Sequence, residues 1–475
     1  MKKIILTGAV LIAIATASFA QNNTTTVVQT NGARNSAITD QKGQNNEATI
    51  NQANVQTTDN KATINQVGTG NQATITERGK FNEVTITQMF PTVSNNRAEV
   101  NILGLNSQYN IVSVAQTGKE GRVDIAISGD RNGVTLNQGG DKNSAFLVVS
   151  STAFNDFNTV LINQVGNRNE SSATILGDGN SLTIDQRGND NDIGTFAGGG
   201  NLSVNAIPSA PLPAQQNPVT GVFYGPLLAL VAVANQTVLA PNGITIEGED
   251  NVVSVTQGAN TRDNQVAIRL QGNGANDNRA TVNQLDNAED NEAVIQVNTG
   301  RDRNIARIDQ TGDARFNEAG IRQEGSDDNA RINQMGENNS AIIIQRAATS
   351  VGTNNATINQ PGNNNEAYII QESTNASTAN ITQNQNGGTA AIIQTGTGGH
   401  IANLTQNSML AGARLIVRQE GFQNVANLTQ TNFDQFVIPD LEILQQGQFN
   451  TVLGIGMPTN VVNRITQVGS NNTTL

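Results

Sequence analysis

The sequence predicts an all-β solenoid, in which strand–turn–strand layers of about 22 residues stack on one another. Three observations predict this fold. A motif recurs every eleven residues, apolar residues occupy alternate positions within it, and the composition is poor in aromatic residues (3%) but rich in polar ones. A helical fold is disfavoured, because a glycine in each repeat and many β-branched residues would interrupt helices.

The repeat is clearest between residues 60 and 88, where it reads N-x-A-x-I-x-Q-x-G-x-x. The same pattern continues through most of the chain, although some units in the second half are spaced thirteen residues apart. The predicted structural ladder consists of Asn60, Ala62, Ile64, Gln66, Gly68, Asn71, Ala73, Ile75, Gly79, Asn82, Val84, Ile86 and Gln88, and of Asn354, Ala356, Ile358, Gln360 and Gly362 in a later unit.

The spacing within one unit predicts how its side chains point. The recurring residues sit at every second position, so they share one face of a strand, and the residues between them face outward. Glycine supplies the positive φ that the turn needs, and the asparagine that opens the next unit tolerates it as well. Layers about 4.8 Å apart then place isoleucine over isoleucine and glutamine over glutamine, as in an amyloid-like cross-β stack.

Charged residues fall almost entirely on outward or turn positions of this pattern. Asp309 and Glu442 are examples on outward positions, and the paired carboxylates Asp327 and Asp328 are expected to be solvated in a turn. Glu77 is the exception, because it takes a glutamine position. A buried ion would be costly there unless the group were neutralised. We favour the other explanation, that the glutamine positions lie at the strand end, in contact with water.

The pattern also suggests how the chain is organised. Residues 1–20 have the charged start, apolar centre and Ser18-Phe19-Ala20 cleavage site of a secretory signal peptide. Repeat blocks are expected at 21–205 and 242–475, separated by a proline-rich and apolar interruption at 206–241. Its apolar stretch, Leu227 to Leu239, is too short to span a bilayer. The interruption is either a loop or hairpin packed on the solenoid, or an exposed apolar patch that binds a partner or makes lateral contacts between fibres.

The segment from Ala62 to Glu77 closely resembles the curlin repeat, with glutamate in place of the final glutamine. This is the repeat of the curli functional amyloid subunits of bacterial biofilms, and the chain would be an unusually long member. The resemblance implies a protein secreted to the bacterial cell surface, where it self-assembles into extracellular cross-β fibres for adhesion and biofilm matrix. It also implies a nucleator subunit and an outer-membrane curli-type secretion machinery as partners.

Other functional classes find little support in the composition. The net charge of −12 disfavours nucleic acid as a partner, because phosphate binding needs a basic surface. His400 is the single histidine and cysteine is absent, so neither a zinc site nor a catalytic triad is expected. Gly139-Gly140-Asp141 and the Gly188 to Asp192 segment are faintly similar to calcium-binding nonapeptide repeats but do not recur. We therefore predict no enzyme activity, catalytic residue, metal or cofactor.

A capped, monomeric solenoid is the alternative function. Such a protein would act as an adhesin or as an ice- or surface-binding protein, and outward threonines such as Thr74 and Thr85 suit a flat binding array. The fibre hypothesis differs from it in one structural requirement. A fibre needs open strand edges at both ends, and the repeat is expected to begin close to the cleavage site and to run to the C-terminus.

The face assignment makes the first testable prediction. Lysine at position 64 or 75, in place of isoleucine, should slow self-assembly strongly, because its charge enters the dry face. Lysine in place of the outward Thr63 or Thr74 should change the assembly rate little. Dye-binding kinetics of the four variants measure this, and equal effects at inward and outward positions would contradict the assignment.

Overall fold

The computed structural model describes residues 22–30, 32–53, 57–104, 107–150, 157–193, 201–204, 236–239, 244–270, 276–297, 302–346, 353–373, 375–407, 413–431, 440–455 and 463–474. The predicted signal peptide and most of the predicted interruption lie outside these ranges. The regular elements within them are all strands, which confirms the all-β prediction. No helix that could span a membrane occurs in these ranges.

The strands, in chain order, are β1 (Thr24–Thr30), β2 (Ser36–Gln44), β3 (Glu47–Ala53), β4 (Lys61–Thr69), β5 (Gln72–Glu77), β6 (Glu83–Val93), β7 (Arg97–Ile102), β8 (Ile111–Gln116), β9 (Arg122–Ser128), β10 (Gly133–Gly139), β11 (Ser144–Ser150), β12 (Thr159–Val165), β13 (Glu170–Leu176), β14 (Ser181–Gln186), β15 (Asp192–Ile193), β16 (Asn201–Val204), β17 (Gln236–Leu239), β18 (Ile244–Glu247), β19 (Val252–Gln257), β20 (Gln265–Leu270), β21 (Arg279–Gln284), β22 (Glu292–Val297), β23 (Ile305–Gln310), β24 (Glu318–Gln323), β25 (Asn329–Gln334), β26 (Ser340–Gln345), β27 (Asn355–Gln360), β28 (Glu366–Ser373), β29 (Thr378–Gln383), β30 (Thr389–Gly398), β31 (Ile401–Gln406), β32 (Arg414–Phe422), β33 (Val425–Gln430), β34 (Asp440–Gln448), β35 (Thr451–Ile455), β36 (Asn463–Ser470) and β37 (Thr473–Thr474).

The chain forms two compact units. The first contains β1 to β15 and β18 to β21, and the second contains β16, β17, all but the last residue of β22, and β23 to β37. Each is a parallel β-solenoid, because successive strands alternate between two sheets. In the first unit, β1 pairs with β3 and β3 with β5, while β2 pairs with β4 and β4 with β6. In the second, β24, β26 and β28 pair in one sheet and β23, β25 and β27 in the other.

Stacked strands keep the repeat in register, so that like residues align. Ala62 pairs with Val84 and Ile64 with Ile86 in the first unit, and Ile332 pairs with Ile358 in the second. The step from one layer to the next ranges from 22 to 28 residues, apart from the layer that holds a long insertion, where it is 71 residues. The prediction of about 22 residues per layer therefore describes the shortest layers, and longer turns enlarge the others.

One layer of the first unit is built from two separate chain segments. β15 pairs with the start of β13 at Glu170 and Ser171, and β18 pairs with the rest of β13 from Ala173 to Leu176. β20 then pairs with both β15 and β18. The chain between Ile193 and Ile244 is thus inserted in the middle of a single strand, and the stack of the first unit continues across it.

The alternation of buried and exposed residues follows the predicted faces. In β4 every second residue is buried, and the isoleucines at positions 64, 75 and 86 are inaccessible to solvent. Small inward residues such as Ala62 and Ala73 are buried beside them. Period-two alternation over a run of short strands is the cause, since one face of each strand packs inside the coil.

The turn geometry differs from the prediction in one respect. Positive φ does not fall on the asparagine that opens each unit but on the residue before it, whatever its type. Phe81 has a φ of 58° and precedes Asn82, and Tyr109 has a φ of 57° and precedes Asn110. The left-handed conformation is unfavourable for bulky residues, so the hydrogen bonds of the neighbouring asparagine must hold it in place.

The turn glycines are required mainly by close approach between layers. A Cβ atom on Gly79 would lie 2.0 Å from the carbonyl oxygen of Ser107 in the next layer. On Gly362, whose φ is not in the left-handed region, it would lie 2.2 Å from the carbonyl oxygen of Gln385. No side chain fits at such distances, so the glycine position follows from the stacking itself and not from φ alone.

This contact gives the second prediction. Gly79→Ala should lower the free energy of unfolding by about 2 kcal/mol or more, because the methyl group meets backbone and φ is 97°. Gly133→Ala is the matched control, because a Cβ there meets nothing within 4 Å and φ is not positive. Urea unfolding followed by far-ultraviolet circular dichroism measures both. A neutral Gly79→Ala variant would contradict the close approach.

Candidate functional site

The candidate functional site is the set of polar ladders inside the solenoid, since the repeat devotes its most constant positions to them. Glutamine side chains form one type of ladder. Gln66 Nε2 donates to Gln88 Oε1 at 2.9 Å, and Gln88 Nε2 donates to Gln116 Oε1 at 2.8 Å. The second hydrogen of each amide goes to a backbone carbonyl across the coil, that of Glu47 for Gln66 and that of Gln72 for Gln88.

These glutamine ladders run through many layers of each unit. In the first unit, the members are Gln41, Gln66, Gln88, Gln116, Gln138, Gln164, Gln186, Gln257 and Gln284. In the second unit, two such ladders run in parallel, one from Gln310 to Gln430 and the other from Gln323 to Gln467. An amide both donates and accepts, so a column of identical amides satisfies itself.

The expectation that glutamine positions contact water is wrong. Gln66, Gln88 and Gln116 are fully buried, as is Glu77. The physical reason is the flat cross-section of the coil, in which the end of each strand packs against the start of the opposite strand. The carbonyl that accepts the second amide hydrogen lies there, which keeps the glutamine inside.

Asparagine side chains form a second type of ladder at the turns. Asn60 Oδ1 accepts from the backbone N–H of Asn82 in the next layer at 2.9 Å, and Asn60 Nδ2 donates to the Gly79 carbonyl at 3.0 Å. Asn82 Oδ1 in turn accepts from the Asn110 N–H at 3.1 Å. Each asparagine thus fastens the turn of the following layer, including its left-handed residue, which explains the position of asparagine in the repeat.

The predicted ladder residues that have a side chain all point it into the coil. Those that the structure buries are Asn60, Ala62, Ile64, Gln66, Asn71, Ala73, Ile75, Asn82, Val84, Ile86, Gln88, Asn354, Ala356, Ile358 and Gln360. Gly68 and Gly79 have positive φ at the turns. Gly362 lies in the turn that follows β27, where the Asn339 side chain donates to its carbonyl. Their role in assembly stays a prediction.

Glu77 ends a glutamine ladder. Gln29 donates to Gln52, and Gln52 donates to Glu77 Oε2 at 2.6 Å. The residue that pairs with Glu77 in the next layer is Ile102, which cannot continue the ladder. Burial raises the pKa of Glu77 to about 8, although the hydrogen bond from Gln52 opposes this. The carboxyl group is therefore mostly protonated at neutral pH, which avoids a buried charge.

Two ionisable residues occupy asparagine positions. Asp328 is buried, contrary to the expected solvation, and its Oδ1 accepts from the N–H and the side-chain amide of Asn354. His400 is also buried. Its Nδ1 accepts from the Asn424 N–H at 3.3 Å and its Nε2 lies 2.9 Å from the Thr395 carbonyl, an arrangement that fits the neutral ring protonated at Nε2. Burial lowers the pKa of His400 accordingly.

Charged residues on outward positions are mostly paired along the outer surface. Asp309 and Glu442 lie on outward positions as predicted, yet both are buried, the first beside Arg307 and Arg331 and the second beside Arg464. Asp190, in the turn that is faintly similar to a calcium repeat, pairs with Arg168. Among the residues that the structure describes, no group of three or more histidine or acidic side chains could hold a metal ion.

The family model of the curlin associated repeat matches the chain at residues 57–89, 156–188 and 352–384. Each match spans three consecutive strands with their inward ladders, β4 to β6, β12 to β14 and β27 to β29. The chain contains curlin associated repeats at these positions. No curated protein matches its sequence. Curlin repeats and the solenoid fold are both structural features, and the repeat family points to bacterial surface fibres built by self-association.

Glu77 gives this curlin-repeat protein a predicted pH dependence. Its pKa is about 8 in the folded state against an ordinary 4.5, so its contribution to stability is complete below pH 4.5 and is lost as pH rises through 8. The loss amounts to about 5 kcal/mol. Urea unfolding of the wild type and of Glu77→Gln at pH 5 and pH 9 measures it, because glutamine removes the titration.

We expect the stability difference between the two pH values to shrink in Glu77→Gln. Glu47→Gln, which changes an exposed carboxylate on the neighbouring strand β3, is the control and should leave the difference unchanged. If Glu77→Gln responded to pH as the wild type does, the carboxyl group would be charged or solvated in the folded protein.

Proposed function

We propose that this chain is a secreted structural subunit that self-assembles into extracellular cross-β fibres, which support adhesion and the biofilm matrix of a bacterium. The observation that carries the proposal is the self-complementary stacking of identical side chains. Gln334 donates to Gln360 at 3.0 Å and Gln360 donates to Gln383 at 2.9 Å, and the neighbouring residues align isoleucine over isoleucine. A layer of one molecule can pair with a layer of another by the same contacts.

Strand edges supply the second support. Among the described residues, β1 pairs with β3 and β36 with β34, and each has one edge that no other described strand occupies. Such an edge presents backbone N–H and C=O groups that pair with another strand. We propose that β36 of one molecule receives β1 of the next, so that the fibre grows along the stacking direction.

The remaining parts of the proposal rest on the curlin resemblance. They are export directed by the signal peptide at residues 1–20, passage through a curli-type machinery in the outer membrane, and initiation by a nucleator subunit. The repeat blocks at 21–205 and 242–475 would form the body of the fibre. No catalytic role is proposed.

The outer surface gives little support to the alternative function, a monomeric ice- or surface-binding solenoid. Flat threonine arrays suit that function, but the Lys61–Glu83 ion pair at 2.6 Å and the Arg97–Glu99 pair at 3.1 Å interrupt the outer rows. A thermal-hysteresis assay on the monomer separates the two functions, because a fibre subunit should show none.

Purified mature protein should form fibres that bind amyloid dyes and diffract with a meridional spacing of about 4.7 Å. The edge variant Thr466→Pro/Val468→Pro tests the direction of growth. Backbone N–H groups at the position after each ladder glutamine donate to the next layer, as Arg346 does to the Gln371 carbonyl at 2.8 Å. Val468 follows Gln467 in β36, so proline there removes a donor that faces the next molecule.

We expect the proline variant to keep the circular dichroism spectrum of the wild type and to form no fibres. Val468→Thr, which keeps the N–H group and a β-branched side chain, is the control and should assemble normally. Wild-type protein that stays monomeric for days at micromolar concentration would contradict the proposed function. Normal assembly of the proline variant would contradict only the proposed edge.

A further inference from the structure

The outer surface of the second unit is uneven. In the sheet of β23, β25, β27, β29 and β31, the outward residues are mainly polar, apart from exposed isoleucines at positions 305 and 401. Asparagines on this surface form an amide ladder from Asn380 to Asn403 and from Asn403 to Asn427 of β33. In the other sheet, which contains β26, β28, β30 and β32, the central outward row is apolar, whereas the first residue of each strand is polar or charged. Ile342 pairs there with Tyr368, Tyr368 with Ala391, and Ala391 with Ile416.

These outward apolar residues are buried, although nothing within their own sheet covers an outward face. Ile342 is 1% exposed and Ile344 is fully buried. Large apolar residues on outward positions elsewhere stay open to solvent, such as Ile401 at 41% in the same unit and Phe146 at 47% in the first unit. Burial also raises the pKa of the Tyr368 hydroxyl, an independent sign that water is excluded from this face.

The hairpin of β16 and β17 shows which part of the chain lies nearby. Its two strands pair antiparallel, from Asn201 with Leu239 to Val204 with Gln236. The hairpin belongs to the second unit and both of its strands contact β24, which pairs directly with β26. It leads into and out of residues 205–235, whose final part, from Leu227 to Ala234, consists entirely of leucine, valine and alanine.

We propose that residues 205–235 bind the apolar outer face formed by β26, β28, β30 and β32 in the same molecule. The composition of the segment matches the face, and its two ends stand at the strand beside it. The docked segment would cover an apolar surface that otherwise promotes side-by-side association, since contiguous exposed apolar patches mark interaction sites. The alternative occupants that the test distinguishes are other segments between strands of the second unit, such as residues 432–439, and a second copy of the chain.

The absence of cysteine from the chain allows a direct test. Single cysteines are introduced as Ile342→Cys on the apolar face and as Ile401→Cys on an exposed outward position, and maleimide labelling rates are measured on freshly purified monomer. In the intact chain, Ile342→Cys should react at least about tenfold more slowly than Ile401→Cys. The difference should largely disappear when residues 205–235 are replaced by a short Gly-Ser linker between Val204 and Gln236.

A second variant guards against misfolding of the shortened chain. Leu228→Asp/Leu230→Asp keeps the length of the segment but places charges in its apolar part, and it too should raise the labelling rate of Ile342→Cys while leaving that of Ile401→Cys unchanged. Persistent protection of Ile342→Cys in both variants would overturn the proposal in favour of another segment of the second unit, such as residues 432–439. Protection that is lost on dilution of the intact chain would overturn it in favour of a second copy. Because labelling is completed before fibres form, its outcome does not depend on fibre formation.

Discussion

Parallel, in-register stacking constrains each side chain inside this solenoid to face its own equivalent in the layers above and below. A side chain in such a column must therefore be compatible with itself. Apolar residues such as Ile64 and Ile86 meet this condition by packing, and primary amides meet it by donating and accepting at once. Carboxylates and ammonium groups do not, because like charges would be stacked about 4.8 Å apart in a dry interior. The polar composition of the chain follows from this condition.

The exceptions show how strictly the condition applies. Glu77 stands where a glutamine column meets Ile102, so it needs to accept from one side only. His400 replaces asparagine without breaking the turn ladder, since a neutral imidazole retains one acceptor and one donor. Asp328 keeps the acceptor that the next layer requires from an asparagine. Each substitution preserves the hydrogen bond that its column uses.

Much of this arrangement could be predicted from the sequence, because period-two alternation and an eleven-residue repeat leave few possible geometries. The faces of β4 and β5 and the stacking of like residues follow directly from the spacing. The burial of the glutamine positions was not predictable in the same way, because it depends on the opposite strand, whose distance the spacing does not give. The left-handed residues also escaped prediction. Phe81 and Tyr109 have no intrinsic preference for that conformation, and it is imposed by the asparagine ladder beside them.

The apolar outer face of the second unit is visible in the sequence, although an analysis of the repeat positions alone does not reveal it. The strand β26 reads S-A-I-I-I-Q and β28 reads E-A-Y-I-I-Q, so apolar residues occupy outward as well as inward positions. Continuous apolar runs are typical of strands that are covered on both sides. Assembly along the stacking direction, as proposed, requires accessible strand edges and outer faces that do not associate with other molecules. Charged pairs and amide ladders occupy parts of these outer faces. Where the outward residues are apolar, another segment has to cover them to prevent side-by-side association. The chain carries a long apolar insertion between β15 and β18, which together pair with the single strand β13.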